Sequence, residues 1–124
     1  MNSFKFLPNV LNYKSSNDCV LVIPPEIIDK NGLLQYISSR LSFPNYFGYN
    51  WDALYDCLID LKWIEQKKIS LIHDDLNISN NDDLKIYLNI LEDVVTNWQE
   101  SDKHLFEVVF SIKLEDKIKF LFEN

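Results

Sequence analysis

Three short apolar runs, separated by segments of helical periodicity, constrain this chain more than any other feature of its sequence. The first is Cys19-Val20-Leu21-Val22-Ile23, stopped by Pro24-Pro25; the second is Ile69-Ser70-Leu71-Ile72-His73; the third and longest covers 105–112, from Leu105 to Ile112. Their apolar character is continuous rather than alternating, as expected of strands buried on both faces. Between the first two runs, 32–41 carries Leu33, Leu34, Tyr36, Ile37 and Leu41 at helical spacing. Phe43-Pro44 ends that pattern, because the residue before a proline is pushed out of the α region. Asn50 then stands where it would cap a helix to about Lys62, with Trp51, Leu54, Tyr55, Leu58 and Leu61 as its apolar stripe. Asn81 or Asp82 is placed to cap a third helix to about Trp98, turning Leu84, Tyr87, Leu88, Leu91 and Val95 inward. Strands joined by helical crossovers pair in parallel, so the pattern predicts an α/β fold with a small three-stranded parallel sheet packed against helices. Phe4-Lys5-Phe6-Leu7 and Lys119-Phe120-Leu121-Phe122 carry brief apolar signals and are candidates for extra edge strands at the two ends.

One domain over 1–124 is expected, since 124 residues can bury a sufficient core without a disulfide or metal staple. The two glycines, Gly32 and Gly48, fall at element boundaries, and no repeat or Gly/Ser/Pro-rich linker interrupts the chain. Charge narrows the choice of partner. With 19 acidic residues against 12 basic ones the net charge is -7, which repels a phosphate backbone and attracts a basic surface. Direct nucleic-acid binding is therefore not expected. Neither is membrane association, because no apolar run approaches bilayer-spanning length and the start of the chain lacks a secretory signal pattern; a cytoplasmic location is expected. Cys19 and Cys57 show no zinc-site spacing, so both are expected to be reduced and largely buried, with no metal and no cofactor.

The chemistry is concentrated in 43–64. An aromatic loop turns at Gly48 and feeds directly into the helix capped by Asn50. Asp52, Asp56 and Asp60 follow at four-residue spacing, a drift of about 40° per step, so the three carboxylates share one side of that helix. Like charges at this spacing destabilise an isolated helix by roughly 0.2 to 0.5 kcal/mol per pair. The helix dipole offsets this for Asp52, in the first turn, and not for Asp56 or Asp60. A solvated face and a binding face both remain open on spacing alone.

The run Pro44-Asn45-Tyr46-Phe47-Gly48-x-Asn50-x-Asp52-Ala53-Leu54-x-Asp56-Cys57-Leu58 closely resembles the segment by which the barstar family, intracellular inhibitors of barnase-type ribonucleases, recognises its target. The order of strands and helices around it is similar to that family's small parallel sheet. The resemblance implies a non-enzymatic inhibitor of a basic ribonuclease, monomeric when free, that acts as an immunity protein. By the same resemblance Asp56 matches the main electrostatic anchor, which enters the nuclease's phosphate-binding pocket, and Asp52 matches a second acidic contact. Tyr46 matches an aromatic that covers the nuclease cleft, Phe47 and Gly48 complete the loop, and Asn50, Trp51 and Tyr55 match the helix start and its neighbours. A further acidic contact on the later helix is matched by Asp93 or its neighbour Glu92. Trp51 and Tyr55 depart from the family's archetype, which has a leucine and a tryptophan there, and Tyr49 replaces an acidic residue. Asp60 matches no contact and is expected to be solvated.

Two other classes of function fit parts of the sequence. A barstar-fold module could neutralise a different basic toxin domain or binding protein. A small metal-dependent hydrolase would use His73-Asp74-Asp75 at the end of the second strand, where open parallel sheets place ligands; adjacent carboxylates and a single histidine fit a metal poorly. Cys57 lies beside the apolar stripe and is expected in the core rather than as a nucleophile, and His104 is expected in the loop before the third strand.

Overall fold

A computed structural model describes residues 3–13, 17–99, 101 and 103–123. Four strands, β1 (Phe4–Leu7), β2 (Cys19–Ile23), β3 (Lys68–His73) and β4 (Leu105–Ser111), form one parallel sheet in the order β1-β4-β3-β2. The helices are α1 (Lys30–Arg40), α2 (Trp51–Asp60), α3 (Asn81–Trp98) and α4 (Glu115–Glu123). Short 3-10 turns cover Val10–Asn12 and Ile112–Leu114.

The expected parallel sheet is present, with four strands rather than three. Phe4-Lys5-Phe6-Leu7 supplies the fourth, pairing along β4 from Phe4 opposite Val108 to Leu7 opposite Ser111. The other terminal candidate is not a strand: Lys119-Phe120-Leu121-Phe122 lies in α4. Ile118, Leu121 and Phe122, at helical spacing, meet the main core, and helical spacing cannot be satisfied by a strand's two-residue period.

Topology explains where the layers fall. The chain steps β2 to β3 to β4 in one direction across the sheet, and right-handed crossovers then put their helices on a common face. Leu21, Ile23, Ile69, Leu71, Phe106, Val108 and Phe110 accordingly pack with the buried residues of α1, α2 and α3 in one core. The connection from β1 to β2 runs the opposite way across the sheet, so the same handedness sends it beneath the other face. There Val10 seals a small second cluster against Ile72 and Val109, with Leu7, Tyr13, Val20 and Val22 around it.

Helix boundaries follow local chemistry. The Asp29 side chain accepts from Gly32 N at 2.8 Å and starts α1 two residues before the expected Gly32. The cap of α3 is Asn80, accepting from Asp83 N at 3.0 Å, rather than Asn81 or Asp82. Asn50 caps α2 as expected, accepting from Ala53 N at 2.8 Å. That helix ends at Asp60, short of Lys62, because Leu61 turns left-handed (φ 47°). The αL conformation is uncommon outside glycine, and here burial holds it: Leu61 is fully buried, and a ring nitrogen of His104 lies 2.9 Å from its carbonyl oxygen.

Candidate functional site

The loop into α2 is built on its own aromatics. Phe47 is buried and packs edge-on to Phe43 (centroids 5.0 Å apart), which in turn meets Trp63 at 6.1 Å. The Trp63 indole donates to Leu41 O at 2.8 Å and ties this cluster to the end of α1. The residues of the connection with left-handed backbone are Ser42 (φ 54°) and Tyr49 (φ 53°), and Gly48 has no positive φ. Gly48 is constrained by space instead: a Cβ there would stand 3.2 Å from the Asn50 amide, the cap of α2. With Phe47 turned inward, Tyr46 and Tyr49 are left 73% and 56% exposed.

Of the three carboxylates on α2, Asp52 and Asp56 are exposed and Asp60 is partly buried near the far end. The helix is held by its other side, where Leu54, Cys57 and Leu58 are buried. Burial pushes the Cys57 thiol up from its ordinary value, and Asp60 and Asp56 add to this, so Cys57 is a core residue and a poor nucleophile. Cys19 is only partly buried, on edge strand β2, less than the sequence suggested.

Two open hollows meet along α2. Lys30, Tyr46, Gly48, Asn50, Trp51, Asp52, Ala53 and Asp56 line the first. Trp51, Asp52, Tyr55, Asp56, Ile90 and Asp93 line the second, between α2 and α3. Of the two acidic candidates on α3, Asp93 is the one that lines this surface. Asp93 is exposed beside Asp52 and Asp56, whereas Glu92 is partly buried and accepts from Ser3 Oγ at 2.7 Å. The Trp98 indole of α3 donates to Leu58 O of α2 at 2.7 Å and ties the two helices together. Eight of the nine residues expected at the site thus line one continuous surface; Phe47 instead supports it from within. Lys30 and Ile90 were not anticipated. Ile90 lies one turn before Asp93, a neighbour that helical spacing alone could have indicated.

The His73 region has no such openness. The ring is fully buried, stacked on Phe110 with centroids 4.3 Å apart. Its Nδ1 lies 3.2 Å from Val109 O, which can only accept, so Nδ1 carries the proton and Nε2 accepts from the Tyr87 hydroxyl at 2.7 Å. Desolvation by burial pushes its pKa down to about 4, with the Val109 bond opposing. Both nitrogens are engaged, and Asp75 accepts from Leu76 N at 2.9 Å. His73 is thus a core residue with no nitrogen left for a metal, and among the described residues no three His, Cys, Asp or Glu side chains are grouped to hold one. No helix among them is long and apolar enough to cross a membrane.

Comparison with known protein families matches residues 19–111 to the family model described as barstar (barnase inhibitor). No curated protein matches the chain significantly. The matched span runs from the first residue of β2 to the last of β4 and takes in the loop, α2 and α3 that form the acidic surface. Covering well over half of the sequence, it shows that the chain belongs to the barstar family.

Proposed function

We propose that this protein inhibits a basic ribonuclease by laying α2 and the loop before it across the enzyme's active site, and that it serves as an immunity protein against that enzyme. The observation that carries the reading is the convergence of three carboxylates, Asp52 and Asp56 from α2 and Asp93 from α3, beside the exposed ring of Tyr46. A carboxylate placed where a substrate phosphate would sit makes charge-assisted hydrogen bonds with arginine and lysine. Complementary potentials also speed encounter, an effect that salt weakens. Asp56 is the anchor, Asp52 and Asp93 flank it, and Tyr46 covers apolar surface at the edge of the cleft. Trp51 and Tyr55, where the archetype has leucine and tryptophan, favour a second reading in which the same surface neutralises a different basic toxin domain.

Inhibition of barnase is the direct test, with the wild type beside Asp56→Ala and Asp52→Ala and circular dichroism to confirm folding. Removing one partner of a desolvated ion pair costs about 3 kcal/mol, so Asp56→Ala is expected to weaken inhibition by at least about a hundredfold, with a smaller loss for Asp52→Ala. Equal inhibition by wild type and folded Asp56→Ala would sink the mechanism. If the wild type leaves barnase active but binds another basic toxin through Asp56, the second reading replaces the first.

A further inference from the structure

A cation stands where the rest of the surface is acidic. Lys30 opens α1 and lines the same hollow as Tyr46, Asn50, Trp51, Asp52 and Asp56. Helix stability does not account for it, because the first turn is the positive end of the helix dipole, where a lysine is disfavoured. Nor does an ion pair: among the described residues no carboxylate lies within ion-pair distance of its ammonium. Its Nζ instead lies over the Trp51 ring, 5.6 Å from the centroid, a cation–π contact that leaves the charge itself without an acceptor. The Trp51 Nε1 is also buried with no hydrogen-bond partner. Because that indole nitrogen is enclosed, the Lys30 ammonium is the donor at this surface that a partner's acceptor can reach.

Docking a protein over the hollow would take Lys30 out of water, and a desolvated cation without an acceptor is strongly disfavoured. A wholly cationic partner face would repel it as well, so the residue discriminates among the basic proteins that Asp52 and Asp56 attract. We propose that Lys30 is a specificity-determining residue, selecting a partner whose cationic face carries an acidic side chain opposite Trp51, beside the cations taken by Asp52 and Asp56. This rests on the reading above that the surface binds a basic protein.

Two labelled peptides, hexa-arginine and the same peptide with one central arginine replaced by aspartate, separate the two ideas. Fluorescence anisotropy would follow their binding to the full chain and to its Lys30→Gln and Asp56→Asn variants, with circular dichroism as the folding check. The wild type is expected to bind the aspartate-containing peptide at least as tightly as hexa-arginine, despite its lower charge. Lys30→Gln is expected to shift the ratio toward hexa-arginine by roughly three- to fivefold, the size an exposed ion pair supports. An unchanged ratio in folded Lys30→Gln overturns the proposal, as does a failure of both peptides to bind the wild type at millimolar concentration. Asp56→Asn should weaken both peptides alike. If it changes neither while Lys30→Gln still shifts the ratio, the specificity role stands and the Asp56 anchor falls.

Discussion

His73 shows how a residue that looks reactive in a sequence becomes structural once its surroundings are known. Its burial, stacked on Phe110, keeps the ring neutral, with a pKa pushed down to about 4 from an ordinary 6.5 although the Val109 O bond opposes the shift. The folded state therefore refuses a proton that the unfolded chain accepts between those values. The resulting stabilisation is fully present above pH 6.5, is lost as pH falls towards about 4, and amounts to on the order of 3 kcal/mol. Urea unfolding at pH 7.5 and pH 4.5 should show this loss, and His73→Gln, though less stable at neutral pH, should show a smaller change between the two. An equally steep change in His73→Gln would assign the pH dependence to other groups. Asp56 is the opposite kind of residue, since its exposure leaves the carboxylate free to be desolvated by a partner rather than by the fold.

At the scale of elements, α2 has two defined ends and one committed face. Asn50 starts it by accepting from Ala53 N, the left-handed Leu61 stops it, and Leu54, Cys57 and Leu58 fix its roll so that Asp52 and Asp56 face outward. Asn50→Ala removes the cap and should cost about 1 kcal/mol of stability, read as a lowered urea midpoint at constant slope. Because the frayed turn would carry Asp52, the same variant should also weaken partner binding while leaving the position of Asp56, one turn further on, less affected. A midpoint unchanged from wild type would mean that the loop aromatics hold the helix start without Asn50. Strain at Tyr49, the non-glycine residue with φ 53° immediately before this cap, is held by the Phe47 ring, whose centroid lies 4.8 Å from its own.

Across the whole molecule, the sheet face away from the large helices is organised by one acid. Glu107 of β4 pairs with Lys5 of β1 at 2.7 Å and Lys68 of β3 at 3.3 Å, and accepts from Tyr13 and Ser70. Burial raises its pKa, but the bonds from Lys5, Ser70 and Tyr13 prevail and hold the carboxyl below its ordinary 4.5. Its contribution is thus present above pH 4.5 and lost as pH falls through the depressed value. Glu107→Gln should destabilise the fold by about 2 kcal/mol at neutral pH, a figure moderated by the solvent around Lys5, and should flatten the acid limb below pH 4.5. Neutral-pH stability equal to wild type would show that the lysines are adequately solvated without it. This network was not visible in the sequence, where Glu107 reads as one polar residue in an apolar run. Local features were legible in the sequence: the exact span of β2, the α2 cap, the inward faces of the helices, and the outward side shared by Asp52 and Asp56, because periodicity and capping depend on residues a few positions apart. Long-range contacts set the pairing of Phe4–Leu7 as the fourth strand, the helical C-terminal segment, the inward turn of Phe47, the placing of Asp93 on the α2–α3 surface and the arrival of Lys30 beside Trp51. Each of these depends on which surface a segment meets across the fold, and a short segment such as Phe4–Leu7 carries too little periodicity to encode a partner about a hundred residues away.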